Sequence, residues 1–128
     1  MSTSQAGLTA LSFPGLLQLA ANPEKLQWQT FRQGVQICRL QGDPAQAPAA
    51  ALLRYEAGAT VPRHTHVGWE YIVVLSGSQE DDNGQYEAGT LKVNPPGSSH
   101  DVSSANGCIV LAIWERSVQF HGTPGTGR

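Results

Sequence analysis

The sequence predicts a single all-β domain, a sandwich or barrel of short strands with one short helix ahead of it. Three observations carry this. The chain has 128 residues, the size of one ordinary domain, long enough to bury a core without disulfides. Short β-favouring runs recur from residue 35 onward. Turn residues punctuate them at Gly58, Gly77, Asn83-Gly84, Gly89, Pro95-Pro96-Gly97 and Asn106-Gly107, the pattern of an all-β sandwich or barrel.

Residues 1–13 show no apolar period and are expected to be flexible. Pro14 can open a helix, because its fixed φ suits the first turn. Leu16, Leu17, Leu19 and Ala20 give that helix an apolar side and Asn22-Pro23 ends it, so about two turns should pack outside the barrel. Val35, Ile37 and Arg39 alternate with their neighbours as a strand does. Residues 42–48 read as an Ala/Pro-rich loop and 50–55 as a short apolar strand. Residues 71–75 and 108–114 are apolar on both faces, which predicts two central strands covered on both sides. Asn83-Gly84 predicts a tight hairpin through a type I′ turn. The expected division is an extension with the helix over 1–27, a barrel over 28–118 and a flexible Gly/Thr/Pro-rich tail over 119–128.

Composition excludes several classes. The net charge is −2 with no Lys/Arg cluster, so nucleic acid is not an expected partner. No run reaches the ~18 apolar residues of a membrane span, and the first ten residues lack the basic start of a secretory signal. A cytoplasmic location is expected. Charged residues make up only 14% of the chain, and a surface so poor in charge suggests that part of it is hidden in a homodimer. Cys38 and Cys108 are too few for a disulfide scaffold and read as buried, reduced thiols; the alternative puts Cys108 near a metal.

Three of the four histidines form a pattern. His64 and His66 are two apart, which puts both rings on one face of a strand. Glu70 has the same parity and joins that face if the strand resumes after Val67-Gly68. His100 must arrive from another strand, past a proline-glycine turn. Buried without partners, four such groups would cost several kcal/mol; one divalent ion satisfies all of them. His121 reads as a solvated residue. Ile72 and Val74 share parity with Glu70, and Val102 with His100, so these three are expected to wall a pocket. Lys92 is expected in solvent, with Leu91 and Val93 inside. Trp69, Tyr71 and Trp114 are expected in the core or at an interface.

The spacings themselves are distinctive. From Gly58, five residues lead to His64, one to His66, three to Glu70 and six to Gly77. Such a five-residue coincidence arises by chance roughly once in a million positions. Gly89, Pro95, Gly97 and His100 follow at the spacing of a second motif, with Ser104 where that motif ends in Asn. The two stretches resemble the paired motifs of the cupin superfamily. Residues 69–77 and 94–100 are similar to the ChrR-like cupins, a group that includes the C-terminal domain of the zinc anti-sigma factor ChrR and many stand-alone proteins. The resemblance covers about residues 28–115 and implies a jelly-roll barrel. It also implies His64, His66, Glu70 and His100 as ligands of one divalent metal ion. Zinc is the ion the anti-sigma member implies, and the same donors suit iron, manganese or nickel. No counterpart of that factor's separate sigma-binding domain is expected in this sequence. Two functions are compatible with this donor set: a metal-dependent enzyme acting on a small molecule, as a dioxygenase or lyase, and a non-catalytic zinc sensor.

Overall fold

The computed structural model describes residues 8–121. Among the described residues, ten antiparallel strands form a curled sheet with one short α-helix, α1 (Leu16–Ala21), ahead of it. The strands are β1 (Gln29–Arg32), β2 (Val35–Gln41), β3 (Ala49–Tyr55), β4 (Ala59–Thr65), β5 (Glu70–Asp81), β6 (Gly84–Glu87), β7 (Leu91–Asn94), β8 (Ser99–Ser104), β9 (Cys108–Trp114) and β10 (Gln119–Phe120). Their order is β1-β2-β3-β9-β5-β8-β4-β10, with β6 and β7 also on β5.

β5 is the hinge of this arrangement. Its first half pairs with β7 and β9, its end with β6 and β8, and the β9 register shifts at a bulge between Val74 and Ser76. Bulges bend and twist a strand, which lets one strand serve two sheets. Gly77 sits at this changeover with φ 73; a Cβ there would stand 2.1 Å from the Gly107 carbonyl oxygen. Only glycine tolerates that approach. The core lies on the concave side, where Val35, Ile37, Ala51, Leu53, Val74, Val110, Ala112 and Trp114 are buried.

Several expectations are corrected. The helix begins after Pro14-Gly15, packs on β5, buries Ala20 and leaves Leu17 exposed. The strands at 71–75 and 108–114 are covered fully on one face only: Tyr71 and Ile113 face outward and are exposed. Their outer positions are apolar without being core. Lys92, Leu91 and Val93 are inverted. Leu91 and Val93 are 59% and 42% exposed, while Lys92 turns inward. Lys92 is paired with Ile72, and Asn94 with Glu70, so β7 lends its polar face to a polar interior. The hairpin between β5 and β6 turns on Asp82-Asn83, and neither residue has positive φ, so the turn is not type I′. The Asn83 amide instead donates to Asp81 Oδ1, a local side-chain turn. Gln119 and Phe120, expected in the tail, pair with β4 as β10. His121 follows with its amide donating to the Arg63 carbonyl, and residues 122–128 and 1–7 lie outside the described residues.

Candidate metal centre

His64 and His100 are direct cross-strand partners on β4 and β8. His66 lies one residue past the end of β4, where the chain turns a corner through residues 66–69. Glu70 then opens β5, so it reaches the site from a second strand rather than from a continuation of β4. All four side chains are buried. One ring nitrogen from each of His64, His66 and His100 lies within 4.8 Å of the other two. Glu70 borders this trio through His66 and stands outside the set of mutually close donors.

The outer ring nitrogens settle the tautomers. His64 Nδ1 lies 2.9 Å from the Pro62 carbonyl oxygen, and His66 Nδ1 lies 3.1 Å from that of Ser98. His100 Nδ1 lies 3.0 Å from Asp81 Oδ2. Carbonyls and carboxylates only accept, so each Nδ1 carries the proton and each neutral ring turns an Nε2 lone pair inward. Two consequences follow. His64 and His100 Nε2 face each other at 3.1 Å, lone pair to lone pair. His66 Nε2 is buried with no hydrogen-bond partner; Glu70 Oε1 is 3.0 Å away but off the line a hydrogen bond needs. A cation would satisfy all three at once. Donors about 2.1 Å from one ion stand roughly 3.0–3.4 Å apart, and the 3.1 Å between His64 and His100 Nε2 falls in that range. The donor set therefore fits a divalent metal ion.

Burial pushes His64 down to about 4, and the neighbouring His100 and His66 add to this against the Pro62 carbonyl. Burial also lowers His100, although Asp81 opposes it. Both rings are therefore neutral at pH 7, the form that can bind a metal. Burial alone would raise Glu70, but its carboxyl lies below the usual range, with the Asn94 amide donating to it. Glu70 is thus an anion.

Behind these donors runs a hydrogen-bonded arc that sequence reasoning missed. The Asp81 carboxylate accepts from His100, from the Tyr86 hydroxyl at 2.8 Å and from the Lys92 ammonium. Lys92 also donates to Asn94 Oδ1 at 3.0 Å, and Asn94 Nδ2 donates to Glu70 Oε1 at 2.9 Å. Burial works to raise Asp81, yet Lys92, His100, the Asn83 amide and Tyr86 together hold it well below the ordinary carboxylate range. Its side chain is 2% exposed and that of Lys92 16%. The arc ties His100 to Glu70 through one half-buried ammonium. The available signal was parity: Lys92 and Asn94 alternate with Leu91 and Val93, and only the partner strand decides which pair turns inward.

The centre opens on a cavity of about 300 Å³. His64, Glu70 and His100 stand in its wall with Leu53, Val61, Ile72, Val102, Trp114 and Phe120. The pocket positions of Ile72 and Val102 agree with the sequence reading; Val74 is core beneath them. Cys108 lies at the far end of the β5–β9 ladder from Glu70, and burial pushes its thiol up to about 11. It is a buried core thiol outside the trio. Ser104, which replaces the Asn of the second motif, is buried and donates to the Ser78 carbonyl at 2.6 Å. His121 is exposed.

The family profile described as ChrR Cupin-like domain matches residues 17–116. The chain belongs to the ChrR cupin-like family. The anti-sigma-E factor ChrR of Cereibacter sphaeroides is 31% identical to this cupin over 101 residues. That match takes in 77% of this chain and 46% of the factor, so the cupin spans about half of that relative. Among solved structures, an acetylacetone dioxygenase from Acinetobacter johnsonii superposes with TM-score 0.70 at 15% identity, over 93% of this chain and 83% of that one. The ChrR chain of the Rhodobacter sphaeroides SigE complex superposes with TM-score 0.62 at 24% identity, over 85% and 70%. At such identities these two structures bear on the fold alone, which is the cupin jelly roll.

Proposed function

We propose that this cupin holds one divalent metal ion through His64, His66 and His100, with Glu70 as fourth ligand, and uses it to bind and transform a small organic molecule. One observation carries the reading: the inward faces of His64, Glu70 and His100 form part of the wall of an apolar cavity of about 300 Å³. A purely structural ion has no need of such a chamber, whereas sites of this size and lining suit small ligands. Bound there, the ion supplies Lewis-acid chemistry, or oxygen chemistry if it is iron. The protein's share is to fix three neutral imidazoles and one carboxylate, to exclude bulk water with Val61, Ile72, Val102 and Trp114, and to orient His100 through Asp81.

Zinc, iron, manganese and nickel all suit these donors, and zinc is the ion that the resemblance to the ChrR-like cupins implies. That kinship also supports a second reading, a non-catalytic zinc sensor that signals through a protein interface. The thiols of Cys38 and Cys108, both unpaired, suit a reducing compartment such as the cytoplasm. The exposed row Ile113, Tyr71 and Val93, neighbours across β9, β5 and β7, is the face we assign to a homodimer. Light scattering should then give twice the chain mass, and a monomer removes this part.

The deciding experiment is metal analysis of untagged protein purified without chelator, followed by titration. About one ion per chain, lost in His100→Ala with the far-ultraviolet spectrum unchanged, is the expected result. A chain that neither carries nor takes up metal overturns the proposal. Zinc without redox activity favours the Lewis-acid and sensor readings; iron or manganese favours oxygen chemistry.

A further inference from the structure

The cavity holds a charge that the metal centre does not use. Arg32, the last residue of β1, stands in the cavity wall. Its guanidinium lies 4.3 Å from the centroid of the Phe120 ring, and that ring lies 5.3 Å from the His64 ring. Phe120 is thus a common neighbour of the Arg32 guanidinium and the His64 ring in the wall of the chamber. Among the described residues, Arg39, Arg63 and Lys92 each have a carboxylate partner and Arg32 has none. The one acid in the cavity wall, Glu70, accepts from the Asn94 amide and faces the His66 ring.

Charge balance sharpens the point. Three neutral imidazoles and one carboxylate leave a divalent ion with a net charge of +1, and Arg32 adds another. The Asp81–Lys92 pair behind the site cancels internally. A cavity walled mainly by hydrocarbon thus carries uncompensated positive charge, which is costly unless the ligand brings the counter-charge. Guanidinium is also the side chain whose planar fork matches a carboxylate.

We propose that the cavity takes a small carboxylate with an apolar body, its acid group on Arg32 and its far end, an oxygen, toward His64 and His100. Phe31, Phe120 and Trp114 line the space for the body. The orientation of the far end rests on the metal reading above; the anion site at Arg32 does not.

The test uses 3-(4-hydroxyphenyl)propionate, which has an acid, a ring and a distal oxygen, and its neutral primary amide. Both are titrated calorimetrically into the zinc-treated full chain, with bound zinc measured in each sample. The acid should bind about tenfold or more tightly than the amide. Arg32→Gln should abolish that preference by weakening the acid alone, with bound zinc unchanged. Arg32→Lys, a point charge without the fork, should restore part of it. Equal binding of acid and amide, a preference that survives Arg32→Gln, or no saturable binding of the acid at millimolar concentration overturns the proposal. Absence of bound zinc with an Arg32-dependent acid preference removes the metal reading and leaves the anion site standing.

Discussion

Replacing Asp81 by Asn tests whether the arc behind the site serves the metal. Asp81 accepts the Nδ1 proton of His100 at 3.0 Å, and so keeps the His100 Nε2 lone pair aimed at the other imidazoles. In Asp81→Asn the charge is gone, and the amide can present either its oxygen or its NH2 to the ring. The NH2 form would reverse the tautomer and put a proton where the metal must bind. Loss of such an orienting partner costs about 10–100-fold in metal affinity, or roughly 1.4–2.7 kcal/mol. A separate cost falls on the fold. Lys92 loses its anionic partner while only 16% exposed, with Asn94 as its remaining acceptor, which should destabilise the metal-free chain by about 1–3 kcal/mol. The two effects are read by different assays: competition for zinc against a chromophoric chelator, and urea unfolding without metal. Zinc affinity in Asp81→Asn within about twofold of the parent, well inside the loss expected of an orienting carboxylate, would refute the reasoning.

Three further outcomes are expected. His64 sits near 4 in the fold against 6.5 for a free imidazole, so below about pH 6.5 the unfolded chain binds more protons than the native one. Stability of the metal-free chain should therefore be full above that pH and fall toward pH 4, by at most about 1.4 kcal/mol per pH unit from this residue; a flat urea-midpoint profile from pH 7 to 5 would contradict it. Gly77→Ala forces a Cβ to 2.1 Å from the Gly107 carbonyl at φ 73 and should cost about 3 kcal/mol or more, read as a collapse of the unfolding midpoint; a shift under about 1 kcal/mol would mean that the β5–β9 ladder gives way easily. The Cys108 thiol is pushed up to about 11 and buried, so native alkylation at pH 8 should label Cys38 and spare Cys108, with peptide mass spectrometry as the readout and equal labelling as the contrary result.

Donor identity and donor spacing were legible in the sequence because both are local. Two histidines two apart stay close along the chain even though His66 falls just past the end of β4, and Gly97, with φ 90, marks the turn that leads into the His100 strand. The all-β class was legible for the same reason, since short runs and turn residues are neighbours along the chain. What each strand meets across the sheet is not local. Alternation along β7 divides Leu91 and Val93 from Lys92 and Asn94, but it does not say that the interior at that point is polar. Pairing with Glu70 and Ile72 on β5 decides that, and it turns Lys92 inward. Asp81 meets His100 only because β5 bends at its bulge and delivers its C-terminal end to β8, eleven positions after Glu70. Arg32 looks like any charge at a strand end until sheet curvature closes a cavity around it and leaves it without a carboxylate. The sequence by itself determined which atoms could hold a metal. Tertiary structure decided which groups orient those atoms and what charge the chamber beside them carries, because both depend on contacts between strands far apart in the chain.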